Sequence, residues 1–109
     1  MNSQRKGASG ERELLAIIQA HGIPARRNIQ RYVGGRNNPD ISAEYLGLKL
    51  HIEVKRRERL NLRVAMQQAV SDAEGKAFPL VVHRSSRQPW LVTFRLDDFF
   101  KEVGGGGAE

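Results

Sequence analysis

Cysteine is absent from the chain, which excludes a disulfide framework and any thiolate metal site, and fits a reducing compartment at least as well as an oxidising one. Long apolar runs are missing too. No window approaches the roughly 20 apolar residues that a membrane span requires, and the opening Met1-Asn2-Ser3-Gln4-Arg5-Lys6 lacks the apolar stretch of a secretory signal. These absences predict a cytoplasmic protein with no membrane partner, in the host's cytoplasm if the gene is viral. Acidic residues are in deficit: 12 Asp and Glu stand against 18 Lys and Arg, most of them arginine, for a net charge of +6 and a pI of about 10.3. The excess favours a polyanion such as nucleic acid, because the planar guanidinium is the better phosphate fork. A generally basic soluble surface explains the charge more plainly, so charge alone does not decide.

What is present suits one small domain. A chain of 109 residues, 39% hydrophobic and 28% charged, can bury a modest core and fold unaided. Residues 1–103 read as that domain, and the glycine run of 104–109 as a flexible tail. Leu14, Leu15, Ile17 and Ile18 form a helical stripe over residues 9–21, stopped by Gly22. On a helical wheel Glu11 falls inside the stripe, in line with Leu15 and Ile18, while Arg12 and Glu13 fall outside it. A carboxylate that points inward needs a partner.

Residues 23–29 predict a first strand, 30–38 a flexible loop around Gly34-Gly35 and Asn37-Asn38, and 39–44 a short second strand. After a hairpin turn at Tyr45-Leu46-Gly47, Leu48, Leu50, Ile52 and Val54 alternate with Lys49, His51, Glu53 and Lys55. A second helix over 62–74 carries Leu62, Met66, Ala69, Val70 and Ala73 on one face and closes at Gly75. Residues 79–83 and 90–94 predict a strand pair. Leu96-Asp97 offers a staple and an N-cap for a short last helix. The order α-β-β-β-α-β-β-α makes the fold class a mixed α/β sheet flanked by helices, with Trp90, Phe94, Phe99 and Phe100 in the core.

Glu53 and Lys55 leave the same face of their strand, and an antiparallel hairpin turning at residues 46–47 brings Asp40 level with Glu53. Two adjacent carboxylates repel unless a divalent cation neutralises them, and Mg²⁺ takes oxygen ligands. Such a cation polarises phosphoryl oxygens and activates water, and a lysine positions or deprotonates that water. This is phosphodiester-cutting chemistry. The plainer alternative is a solvated strand face carrying a surface ion pair, and for Glu11 a carboxylate placed by the helix dipole, with Glu13 as fallback.

Asn38-Pro39-Asp40-Ile41 and Glu53-Val54-Lys55, with twelve residues between Asp40 and Glu53, resemble the PD-(D/E)XK nuclease signature. The eleven residues Arg5-Lys6-Gly7-Ala8-Ser9-Gly10-Glu11-Arg12-Glu13-Leu14-Leu15 are similar to the opening helix of archaeal-type Holliday-junction resolvases, and the likeness continues through Gly22-Ile23, Arg27, residues 40–43 and residues 52–55. It implies a restriction-endonuclease-like fold, a catalytic set of Asp40, Glu53, Lys55 and Glu11, and a metal set of Asp40, Glu53, Val54 and Glu11. It also implies Mg²⁺ or Mn²⁺ as cofactor and a homodimer acting on branched or four-way junction DNA. Arg5, Lys6, Arg27, Arg31, Arg36, Arg56 and Arg57, with Arg26 and Arg59 nearby, are the candidate phosphate contacts; a solvated charged run is the alternative. Gln67, Gln68 and His51 read as neighbours of the site, and His21 and His83 as structural. A different nuclease on the same core and a basic DNA-binding module that does not cut stay open.

Overall fold

The computed structural model describes residues 3–29, 32, 33 and 36–104. Helix α1 (Ser3–Ala20) is followed by β1 (Ala25–Arg27), β2 (Tyr32–Val33), β3 (Arg36–Asn37), β4 (Ile41–Tyr45), β5 (Leu48–Arg56), α2 (Leu62–Ala73), β6 (Phe78–Arg84), β7 (Leu91–Thr93) and α3 (Leu96–Phe99), which runs into a π-helical turn at Phe100–Gly104. The main sheet has the order β1-β4-β5-β6-β7. All its pairings are antiparallel except β5 with β6, where α2 makes the crossover that a parallel pair requires.

Helices cover both faces of this sheet. Leu50, Ile52 and Val54 of β5 join Ile41, Ala43, Val82 and Leu14 on the α1 side. On the other side Val81 packs against Ala65, Met66 and Ala69 of α2. Central strand β5 is therefore buried on both faces from His51 through Val54, and its polar alternation is not a solvated face. The hairpin that delivers it turns at Leu46 and Gly47, with φ of 54° and 79°, the paired positive angles of a tight two-residue turn. Helix α2 begins where the Asn61 side chain accepts the Val64 N–H at 3.1 Å, satisfying one of the orphan donors of its first turn.

Several expectations need correction, the first helix among them, which begins at Ser3 rather than residue 9. The first strand stops at Arg27, and Ile29 is 80% exposed. The segment read as a loop contains the antiparallel ribbon β2–β3, with Tyr32 opposite Asn37; Tyr and Val are strand formers. The last helix is capped by Arg95 rather than Asp97, and Arg95 forks onto Asp98 at 2.8 and 3.0 Å. The aromatic set is only partly core: Phe94 stacks on Phe99 and Phe99 meets Phe100 at a tilt, yet Phe94 and Phe100 are exposed, because they lie beside and beyond β7, a three-residue strand at the edge of the sheet. Of the anticipated tail, residues 105–109 lie outside the described residues.

Candidate active site

Asp40 precedes β4, where Ile41 pairs with Ile52; one more step of the same register sets Asp40 level with Glu53. Ile41 and Ile52 point toward α1, so Asp40, His51, Glu53 and Lys55 belong to the α2 face. Asp40 is 3% exposed, and its Oδ2 accepts the Val54 N–H at 2.7 Å. A charge-assisted bond of that length fixes the carboxylate against the Glu53-Val54-Lys55 segment. Asn28 braces the approach: its backbone N–H reaches the Asp40 carbonyl at 3.0 Å, and its amide donates to Pro39 O and Ser42 Oγ, both at 2.9 Å.

Glu11 reaches the sheet from α1. A Cβ at Gly10 would lie 3.1 Å from Arg56 Cβ, so the close approach of α1 to β5 depends on a residue with no side chain. The next residue, Glu11, is 4% exposed, and Arg27 Nε donates to its Oε1 at 2.7 Å. Because Arg27 pairs with Ile41, this ion pair sits at the start of β4, one residue along from Asp40 and on the α1 side of the sheet. The inward direction read from the helical wheel is the observed one. Glu13 is engaged elsewhere: Arg84 donates to its Oε1 at 2.8 Å and the Trp90 indole to its Oε2 at 3.2 Å. The Arg84 hydrogen bond holds the Glu13 carboxyl below its ordinary range, against a smaller opposing effect of burial.

His51 and Asp72 carry weight that the sequence reading did not give them. His51 is 4% exposed, and its Nε2 lies 2.9 Å from Glu53 Oε2. Asp72, near the end of α2, brings a third donor: ligand atoms of His51, Glu53 and Asp72 all lie within 4.8 Å of one another. Among the described residues this trio, rather than one of Asp40, Glu53 and Glu11, is so closely spaced. Gln68 donates to Asp72 Oδ1 at 3.0 Å, while Gln67 is exposed. Asp72 was detectable in principle, since it borders the helix stripe three residues after Ala69.

The basic residues divide. Arg57 and Arg59 are exposed, Lys55 and Arg56 half-buried, and Arg26 exposed on β1. Arg27 is committed to Glu11. Arg31 and the side chains of Arg5, Lys6 and Arg36 lie outside the described residues. A cleft of about 630 Å³ opens between residues 37–39, the β4–β5 hairpin and the end of α2, with His51 and Asp72 among its walls.

Asp40 and Glu53, level with each other on the α2 face, are oxygen donors of the kind a hard divalent cation takes, while Glu11 comes from α1 on the other side of the sheet. The archaeal Holliday junction resolvase (Hjc) family model matches residues 2–102. The chain belongs to this family. The structure of a Holliday junction resolvase from the archaeal hyperthermophile Archaeoglobus fulgidus, solved at 1.6 Å, is similar to it. The two share 31% identity over 81% of this chain and 76% of that one, with a TM-score of 0.64. No curated protein matches the chain significantly. The mixed five-stranded sheet between helices is therefore the resolvase fold, and the PD-(D/E)XK assignment holds.

Proposed function

We propose that this Holliday-junction-resolving nuclease cuts DNA at Asp40, Glu53 and Lys55, with Glu11 as fourth member, and that it depends on Mg²⁺ or Mn²⁺. The Asp40–Val54 hydrogen bond supports this reading most directly, since it ties the Pro-Asp carboxylate to the Glu-X-Lys strand. Asp40, Glu53, the main chain of Val54 and Glu11 would hold the cation, which when bound polarises a phosphoryl oxygen and acidifies water. Hydrolysis joins a water oxygen to phosphorus and releases a deoxyribose oxygen that takes up a proton. Lys55, on the Glu53 face, orients or deprotonates the water and offsets charge gathering on the phosphoryl group.

Exposed Arg57 and Arg59, with Arg26 on the wall of the cleft, contact phosphates without reading bases, as a structure-selective enzyme requires. Two symmetric cuts require two sites related by a two-fold axis, which a homodimer supplies. The protein works inside the cell, where branched DNA arises. Asp40→Asn, Glu53→Gln and Lys55→Met should each lower cleavage of a four-way junction by roughly 10²–10³-fold while leaving junction binding within a few-fold. Unchanged cleavage by Asp40→Asn and Glu53→Gln would remove this site. If no divalent cation supports cutting of any DNA, a DNA-binding module is what remains.

A further inference from the structure

We propose a second cation site, built from His51, Glu53 and Asp72, that shares Glu53 with the catalytic centre and takes a transition metal ion such as Mn²⁺, Co²⁺ or Zn²⁺. The inference rests on the reading of Glu53 as a catalytic ligand. Its first support is the trio itself, one imidazole nitrogen and two carboxylates within 4.8 Å of one another. Bonds of about 2.0–2.2 Å place ligand atoms roughly 3–4 Å apart, so small side-chain adjustments would close the set around an ion.

Electrostatics supplies a second, independent support. Asp72 lies in the last turn of α2, a turn with no basic residue, where the helix dipole disfavours negative charge. It also faces a second carboxylate, Glu53, in a half-buried setting. The Asp72 hydrogen bonds come from two neutral amides, Asn37 Nδ2 at 3.1 Å and Gln68 Nε2 at 3.0 Å, both on Oδ1. Among the described residues no lysine or arginine pairs with Asp72 or Glu53, and Oδ2 of Asp72 accepts no hydrogen bond. Two carboxylates held together at the negative end of a helix are relieved by a cation. The imidazole sets which kind, because nitrogen donors favour transition ions over Mg²⁺. The cleft beside residues 37–39 gives an ion a route to His51 and Asp72.

The test is metal binding by the untagged full chain, read by equilibrium dialysis with Co²⁺ and by the visible d–d absorption of the bound ion. Wild type should bind two equivalents, and excess Mg²⁺ should displace only one. Asp72→Asn keeps its side-chain shape and its amide contacts, and should lose the Mg²⁺-resistant equivalent together with its absorption band. His51→Gln should do the same, whereas Asp40→Asn should lose the other equivalent and retain this one. Full retention of the resistant equivalent in a folded Asp72→Asn protein overturns the proposal even if His51→Gln fails to fold. So does a wild type that binds one equivalent, lost with Asp40. Cleavage assays of Asp40→Asn test the catalytic reading separately, so failure of one site is not mistaken for failure of the other.

Discussion

Burying a carboxylate is costly unless a partner arrives with it, and Glu11 shows how this chain meets that requirement. Glu11 is held by a guanidinium at 2.7 Å whose own side chain remains 22% exposed, so Arg27 neutralises the buried acid while keeping contact with water. Removing one member of such a pair is worse than never having had it, since the remaining charge keeps its desolvation cost and loses a strong partner. Arg27→Gln should therefore destabilise the fold by about 2 kcal/mol, below the usual cost for a fully buried pair because Arg27 is partly solvated. Urea denaturation gives the measurement, and a loss under about 0.5 kcal/mol would mean that Glu11 relaxes to solvent. Glu11→Gln combined with Arg27→Gln should recover part of the loss. In the proposed centre Arg27 would also hold Glu11 beside the start of β4, so the single variant should weaken cleavage as well as stability.

At the scale of elements, the two ends of the chain are joined through Glu13, Arg84 and Trp90. The Arg84 guanidinium lies 5.3 Å from the Trp90 ring centroid while donating to Glu13, so α1, β6 and the segment entering β7 meet at one exposed-edged ion pair. Glu13→Gln should cost about 1 kcal/mol, a charge-assisted bond discounted for solvent. Two groups then shape the acid side of the stability curve. His83 lies on β6 with its Nε2 2.8 Å from Thr93 Oγ1, and burial lowers its pKa below the ordinary 6.5. The unfolded chain takes up that proton first, so stability is full above about pH 6.5 and falls as pH drops through the folded pKa. Glu13, lowered below 4.5, contributes stability that is present above that value and is lost at lower pH. Urea midpoints measured from pH 8 to pH 3 should fall in two stages, and His83→Gln should flatten only the first. The sequence made local elements legible for physical reasons: the 46–47 turn and the alternation in β5 are near-neighbour effects, and Glu11 is visible from helical periodicity alone. Asp72 beside His51, or Arg84 beside Glu13, depends on how α2 crosses and where β6 returns, and short-range pattern contains neither. The same limit hid the exposure of Phe100, since apolar residues at strand or helix spacing look alike in a core and on an uncovered edge.

For the molecule as a whole, that uncovered edge bears on assembly. Leu91, Val92, Leu96 and Phe100 are 57%, 55%, 64% and 56% exposed, and all belong to β7, the free edge of the sheet, or to the helix and turn that follow it. A small basic protein gains nothing from leaving this surface in water, and edge strands with apolar side chains invite pairing. A second copy is the partner that the proposed chemistry requires, because one bound junction must be cut twice. Burying an exposed leucine or phenylalanine is worth about 1.5–3 kcal/mol, so Leu96→Glu and Phe100→Glu should each weaken association by roughly 10–100-fold without touching the buried core. Light scattering at micromolar concentration should report a dimer for wild type and a monomer for the double variant. In cleavage assays on a supercoil-extruded cruciform, wild type should give paired cuts and linear product, whereas the double variant should accumulate nicked circles as its two cuts become independent events. A wild type that stays monomeric on the junction, or a double variant that still makes paired cuts, would separate the apolar edge from the dimer. The coupling of cuts discriminates better than total activity, because each protomer would keep its own Asp40, Glu53 and Lys55 and go on cutting single strands.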